Sequence, residues 1–315
     1  MRLVIILFVL FFYSCKQDSG FDFVFHHDGK DRIYNYYIPK NFKKNSPAIF
    51  VFHGWGGTSK GTMNFMQDVH QFHDLADKYG YMIVYPEGLP NDVDHLLYNS
   101  DPKDNGNWWC SDPNNPICSN DDADFARELA KYFIKQHDLD SSKIYATGYS
   151  MGGVASWIVN QQAGDVFNGA APFGAVNGGK KMGMKFPSKT AFPLLMFDGM
   201  KDPFGMQEGT DKGQQVMYNI WLPEHADLTV LPYTREEIFE YYANLAKCQD
   251  KEVVSINDIN TLTKYSRCDE GVLIWRYEVQ NYGHEVPSLK TDEKNFSTKA
   301  GIDMGQAVFE FFNSL

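Results

Sequence analysis

The feature that most constrains this chain is the pentapeptide Gly148-Tyr149-Ser150-Met151-Gly152, a G-x-S-x-G set between an apolar run of strand length and an apolar helical pattern. Residues 144–146 read as the strand, and Val154 and Ile158 fall at the spacing of a helix's inner face. A serine at such a junction sits on a sharp turn that pushes its hydroxyl out beyond the strand end. The flanking glycines leave room for neighbouring backbone, and Gly153 lets the helix pack against adjacent strands. A purely structural glycine turn has the same letters, so the surrounding elements must separate the two.

Those elements alternate. Apolar runs at residues 49–52 and 82–85 end in His53-Gly54 and Pro86-Glu87-Gly88 and read as buried parallel strands. Between them Met66, Val69, Phe72, Leu75 and Tyr79 recur at helical spacing, as a crossover helix requires. A second helix is expected after Asp121-Asp122, whose carboxylates suit an N-terminus, with Phe125, Leu129, Tyr132 and Phe133 on one face. Further strands are expected at 169–173, 194–197 and 272–277, and a C-terminal helix carries Ala307, Phe309 and Phe311 or Phe312. Residues 21–25 and 32–38 partly alternate, as an antiparallel hairpin at a sheet edge does. The pattern predicts an α/β protein with a doubly wound, mostly parallel sheet and helices on both faces. No repeat or linker interrupts residues 21–315, which read as one domain, and 43% hydrophobic content supplies its core.

Ahead of that domain, Arg2, the apolar residues 3–13 and Ser14-Cys15 read as a signal peptide over residues 1–15, too short to span a bilayer as a helix. A cysteine at its end resembles a bacterial lipobox, with Cys15 lipidated, residues 16–20 as a tether and the protein extracellular or held at the cell surface or outer membrane. Phe12 and Tyr13 depart from that pattern and leave an ordinary signal peptide or a retained apolar anchor as alternatives. Removing Cys15 leaves four of five cysteines, in two short-range pairs, Cys110 with Cys118 and Cys248 with Cys268. Pairing within each is the natural expectation in an oxidising compartment, although four cysteines permit three connectivities. A net charge of −11 argues against a nucleic-acid partner.

Chemistry gathers around the serine. His53-Gly54-Trp55-Gly56-Gly57 follows a strand end, where acyl transfer needs backbone N–H donors for a developing oxyanion. Met151, after the nucleophile, and Trp55 are the expected donors, while His53 reads as a buried structural histidine. The acid should follow a later strand, and Asp198-Gly199-Met200-Lys201-Asp202-Pro203 closes the apolar run 192–197. Asp202 is preferred because Pro203 fixes a turn beside it, although an Asp-Pro is commonly only a turn and Asp198 stands at the strand edge. The base comes last in such an order, and His284, in Asn281-Tyr282-Gly283-His284-Glu285-Val286-Pro287, has a strand-then-glycine setting. His225 lies in a polar stretch with no strand end, and a surface histidine is the plain alternative for His284. Tyr149, Trp108 and Trp109 are candidate substrate contacts, with one tryptophan expected in the core and the other in a pocket. No cofactor and no metal are expected; the Asp- and Asn-rich residues 91–124 offer oxygen ligands that could cradle a calcium ion, but they lack EF-hand spacing and read rather as a solvated loop.

With those residues in place, the chain resembles the bacterial polyhydroxybutyrate depolymerase and feruloyl esterase family, α/β-hydrolases that also include acetylxylan esterases. The likeness runs from the residues around Arg32 through His53-Gly54, Tyr85-Pro86-Glu87-Gly88, Asn107-Trp108-Trp109 and Asp121-Asp122. It continues through Ile144-Tyr145-Ala146-Thr147-Gly148-Tyr149-Ser150, Asp202-Pro203, Cys248, Cys268 and Gly283-His284 with Pro287. The resemblance implies Ser150 as nucleophile, Asp202 as acid, His284 as base and a Cys248–Cys268 disulfide. Asn281 and Tyr282 replace glycines, Val286 replaces a tryptophan, and Trp55 stands where a cysteine is common, changes that reshape the pocket wall. The implied activity is hydrolysis of carboxylic esters on a polymer: feruloyl or acetyl esters of plant polysaccharide, or a polyhydroxyalkanoate. A serine peptidase of the same fold and a catalytically silent polymer-binding lipoprotein are the alternatives.

Overall fold

A strand with no polar side chain must bury both faces, and Ala48–Phe52 is such a strand. The computed structural model describes residues 22–90, 106–111, 120–175, 188–202, 235–288 and 297–315. Its strands in chain order are β1 (Phe23–His27), β2 (Lys30–Tyr37), β3 (Ala48–Phe52), β4 (Met82–Pro86), β5 (Leu89–Pro90), β6 (Asn107–Trp108) and β7 (Ile144–Tyr149). There follow β8 (Ala170–Phe173), β9 (Leu194–Gly199), β10 (Asp250–Ser255), β11 (Thr261–Ser266), β12 (Ile274–Val279), β13 (Val286–Ser288) and β14 (Ser297–Lys299). Ten form one sheet in the order β1-β2-β4-β3-β7-β8-β9-β12-β11-β10, while β5 with β6 and β13 with β14 make small separate pairs.

The six inner strands from β4 to β12 run parallel. Antiparallel strands flank them, the β1–β2 hairpin on one side and β11 with β10 on the other. Because β3 pairs with β4 on one side and β7 on the other, the chain reverses direction across the sheet there, and a crevice opens beyond the carboxyl ends of these strands. The mostly parallel sheet and edge hairpin agree with the expectation from sequence.

Side-chain alternation divides the core. Phe50, Phe52, Met196 and Ile274 face α3 (Asp122–His137), α4 (Met151–Gln162) and α5 (Arg235–Leu245). Ile49, Val51, Leu195 and Phe197 face α1 (Ser59–His70), α2 (Phe72–Tyr79) and α6 (Met304–Asn313). Phe50 and Phe52 are almost completely excluded from solvent, and each such ring stabilises by roughly 2–3 kcal/mol. Asp121 caps α3 through a 3.0 Å bond from the Asp124 N–H, as the carboxylate pair suggested.

Two departures from the sequence reading stand out. The crossover is two helices, because Gln71 takes a left-handed conformation (φ 51°) that ends α1 and begins α2. The ladder of β10 and β11, together with α5, had no sequence expectation; β10 reads Asp-Lys-Glu-Val-Val-Ser and is mostly exposed, so apolar periodicity could not reveal it. Among the described residues no helix is long and apolar enough to cross a membrane, and residues 1–21, on which the expected signal segment and Cys15 fall, lie outside them.

Candidate active site

Only Ser150 separates the end of β7 from the start of α4. Its backbone sits at φ 56°, ψ −117°, a region that costs a residue with a side chain on the order of 1–3 kcal/mol and persists only where neighbours hold it. The neighbours are evident: the Ser150 N–H donates to the Phe173 carbonyl at 3.0 Å, and the Ser150 carbonyl accepts from Val154 at 3.1 Å. The end of β3 presses against the same turn. A β-carbon on Gly152 would lie 2.0 Å from the Phe52 carbonyl oxygen, and one on Gly148 2.6 Å from it, so this approach requires glycine at both positions.

Two later loops bring an imidazole and a carboxylate to that hydroxyl. His284 Nε2 lies 2.9 Å from Ser150 Oγ, and His284 Nδ1 lies 3.1 Å from Asp202 Oδ2. The loops are laced together: Lys201 N–H donates to the Tyr282 carbonyl at 2.7 Å, Met200 N–H to Val279 at 3.1 Å, and Asp202 N–H to Gly199 at 3.0 Å. The Tyr149 hydroxyl donates to the His284 carbonyl at 2.5 Å, and its ring lies against the imidazole with centroids 5.0 Å apart.

Asp202 is fully buried. Burial alone would raise its pKa, but the bond with His284 and the charge of Arg235 outweigh it and lower the value to about 2. An ionised carboxylate at Nδ1 selects the tautomer with the proton on that nitrogen, which leaves Nε2 as an acceptor for the serine hydroxyl. Asp198, the other sequence candidate for the acid, faces Arg276 Nε at 2.6 Å and Arg235 Nη1 at 3.3 Å.

The glycine loop after β3 lies beside the serine, since a β-carbon on Gly54 would sit 3.8 Å from Ser150 Cβ. His53 holds this loop. Its Nε2 accepts from the Gly88 N–H at 2.9 Å, so Nδ1 carries the proton and donates to the Gly54 carbonyl at 2.6 Å. Burial lowers its pKa to about 4, and it is neutral at pH 7. Met151 is the first residue of α4, where an N–H has no acceptor one turn earlier and the helix dipole favours negative charge. Trp55 carries a side chain about half exposed.

The candidate substrate contacts divide. Trp109 is core, 1% exposed, with its indole N–H donated to the His53 carbonyl at 2.9 Å; the expectation that it touches substrate is corrected by that burial. Trp108 is half-buried in β6. Tyr149, likewise expected at the substrate, has its hydroxyl committed to the loop that carries His284. Cys248 and Cys268 form a disulfide, and Cys110 is disulfide-bonded, while Cys118 lies outside the described residues. Most of the Asp- and Asn-rich stretch, with residues 91–105 and 112–119, also lies outside them. Among the described residues no cluster of His, Cys, Asp or Glu could hold a metal ion.

A strand-end serine with this constellation invites comparison with known proteins, and the family model described as the dienelactone hydrolase family matches residues 35–225, more than half the chain. The chain belongs to the dienelactone hydrolase family. This family member is 23% identical over 263 residues to the bifunctional acetylxylan esterase/xylanase XynS20E of Neocallimastix patriciarum, covering 82% of the chain and 32% of that protein. It is 24% identical over 234 residues to feruloyl esterase B of Thermothelomyces thermophilus, covering 70% and 72%, respectively. A third relative, poly(3-hydroxyalkanoate) depolymerase C of Paucimonas lemoignei, is 22% identical, with coverage of 80% and 58%. The chain thus spans about a third of the length of the first of these relatives. Among solved structures it is similar to acetyl xylan esterase from Aspergillus awamori, with a TM-score of 0.56, 14% identity and coverage of 90% and 94%. At that identity the likeness shows the fold, that of an α/β-hydrolase.

Proposed function

We propose that this dienelactone hydrolase family member is a serine esterase that cleaves carboxylic esters on a polymer through an acyl-enzyme. The observation that carries the reading is the unbroken series of contacts Ser150 Oγ, His284 Nε2, His284 Nδ1, Asp202 Oδ2, at 2.9 and 3.1 Å.

Ser150 Oγ attacks the ester carbonyl carbon as its proton passes to His284 Nε2, and the new C–O bond leaves a tetrahedral oxyanion. The backbone N–H groups of Met151 and Trp55 stabilise that oxygen, helped by the N-terminal dipole of α4. His284 then protonates the leaving alkoxide as the ester bond breaks, and Asp202 orients the imidazole and favours its cationic form. Water, deprotonated by the same histidine, attacks the acyl-enzyme, and the acid departs with Ser150 restored.

The relatives' names support a polymer-borne ester, an acetyl or feruloyl group on polysaccharide or a polyhydroxyalkanoate. Of the aromatic residues expected at the substrate, half-buried Trp108 remains a candidate to meet the acyl group. Residues 21–315 form the catalytic domain, delivered outside the cell by residues 1–15 and held at the surface through lipidated Cys15. Incorporation of radiolabelled palmitate that disappears in Cys15→Ser tests the anchor.

The function is tested by hydrolysis of methyl ferulate, acetylated xylan and hydroxybutyrate oligomers by wild type and Ser150→Ala, alongside fluorophosphonate labelling. Turnover of at least one ester, with both turnover and labelling lost in Ser150→Ala, is expected. Cleavage of peptides without esters, or ester turnover that survives in Ser150→Ala, refutes it.

A further inference from the structure

Behind the serine, four buried charges stand in file. Arg276 Nε donates to Asp198 Oδ2 at 2.6 Å, Arg235 Nη1 lies 3.3 Å from Asp198 Oδ1, and Arg235 Nη2 donates to Asp202 Oδ2 at 2.8 Å. None of the four is more than 3% exposed. Two guanidinium groups and two carboxylates cancel, so the file is neutral as a whole. Its last oxygen, Asp202 Oδ2, is also the one that His284 Nδ1 meets at 3.1 Å. A histidine and an arginine therefore share a single carboxylate oxygen.

We infer that Arg235 is a positioning residue for the Ser150, His284 and Asp202 unit: it fixes the carboxylate through the shared oxygen and, by partly neutralising it, sets the acid limb of the pH–rate profile. The inference rests on the esterase reading of that unit. Arg235 is the first residue of α5, whose Ile238, Phe239 and Tyr242 are packed in the core, so the guanidinium is delivered by a rigid element. Its planar fork meets Asp198 and Asp202 with adjacent nitrogens, a geometry that the point charge of a lysine cannot reproduce. Burial works against its charge, yet the facing Asp198 and Asp202 raise its pKa, so it is cationic throughout.

The sign of the effect follows from the charges around the imidazole. An unshared carboxylate makes the imidazolium easy to form and removes the general base as the pH falls. A guanidinium on the same oxygen cancels part of that field, so removing it strengthens the carboxylate's pull on the imidazole. Among the described residues, the other charged or titratable groups nearby include Glu236 on α5 and Glu278 on β12, which both face Arg276, and Glu285, which accepts from the Gly283 N–H. Tyr149 and Tyr282 present hydroxyls that donate to the carbonyls of His284 and Val286. None of these supplies a second cation to Asp202.

The test measures kcat and KM for p-nitrophenyl acetate from pH 4 to 9 on the full chain, for wild type, Arg235→Lys, Arg235→Met and Arg235→Met with Asp198→Asn. Arg235→Met is expected to move the acid limb of kcat/KM up by about one pH unit and to lower kcat roughly tenfold, with KM within about twofold. Arg235→Lys keeps the acid limb near its wild-type position while losing part of kcat, because charge is retained and the fork is not. The double variant leaves Arg276 and Asp202 as one cation and one anion, so it tests the same shift where the single variant does not fold. An unmoved acid limb in whichever of the two folds, with only a lower melting temperature, overturns the inference and leaves Arg235 a structural residue. Ser150→Ala runs beside them: loss of its turnover with an unmoved Arg235→Met limb refutes this inference alone, whereas persistent Ser150→Ala turnover refutes the esterase reading itself.

Discussion

Replacing Asp202 by asparagine probes the buried charge file through stability, with no substrate involved. Burial pushes the carboxyl up, His284 and Arg235 pull it down more strongly, and the net fall is from 3.8 to about 2. At 1.36 kcal/mol per unit, ionised Asp202 contributes roughly 2 kcal/mol to the folded state. Because the folded value is depressed, that contribution is complete above about pH 5 and is lost as the pH falls through the folded pKa. Asparagine removes it and leaves the Arg235 guanidinium, among the described residues, with Asp198 as counter-charge, and breaking a buried pair costs about 3–5 kcal/mol. Urea unfolding at pH 7 should therefore show Asp202→Asn destabilised by about 2–5 kcal/mol. At pH 3 the wild type has lost part of its advantage, and the gap should narrow by about 1 kcal/mol. An equal gap at both values, or an asparagine variant more stable at pH 7, would show that the Asp202 charge is not held as described.

Three further outcomes follow from the geometry. Gly152→Ala puts a β-carbon 2.0 Å from the Phe52 carbonyl oxygen, so it should cost about 3 kcal/mol or more and abolish turnover, measured by thermal melting and ester hydrolysis; a stable, active variant would contradict the tight turn. Tyr149→Phe removes the bond to the His284 carbonyl and should lower kcat about tenfold at constant KM; a rise in KM at constant kcat would instead restore Tyr149 as a substrate contact. Joint replacement of Cys248 and Cys268 by serine opens a loop with a sequence separation of 20 and should cost about 3 kcal/mol, read from denaturant midpoints; no loss of stability would contradict that contribution.

What was legible in the sequence is what chemistry confines to a few neighbouring letters. Ser150 could be found because the turn that exposes it needs Gly148 and Gly152 within two residues on either side, and the structure explains both by the approach of Phe52. The inner strands were legible because burial on both faces makes them continuous apolar runs, as Ala48–Phe52 and Met82–Pro86 show. Arg235 was invisible for the opposite reason: it meets Asp202 across 33 positions, and no periodicity or spacing links a helix's first arginine to a loop aspartate. The division of labour between the two tryptophans was equally hidden, since adjacent residues with the same side chain differ only in which way the backbone turns them.

The site's dependence on the sheet centre has a physical reason. Ser150 is held in a costly backbone conformation by a bond to β8, by contact with the end of β3 and by the first turn of α4, so each of its restraints comes from a different buried element. Asp202 and His284 extend from β9 and β12, and bonds between their loops lock them to each other before either meets the serine. These restraints sit at strand ends, Phe52 of β3 and Phe173 of β8, where fraying can release Ser150 before the buried strand centres open. Turnover should therefore fall at lower denaturant concentration than the sheet itself unfolds. Parallel loss of esterase activity and far-ultraviolet circular dichroism across a urea series would argue instead that the site and the sheet form one cooperative unit.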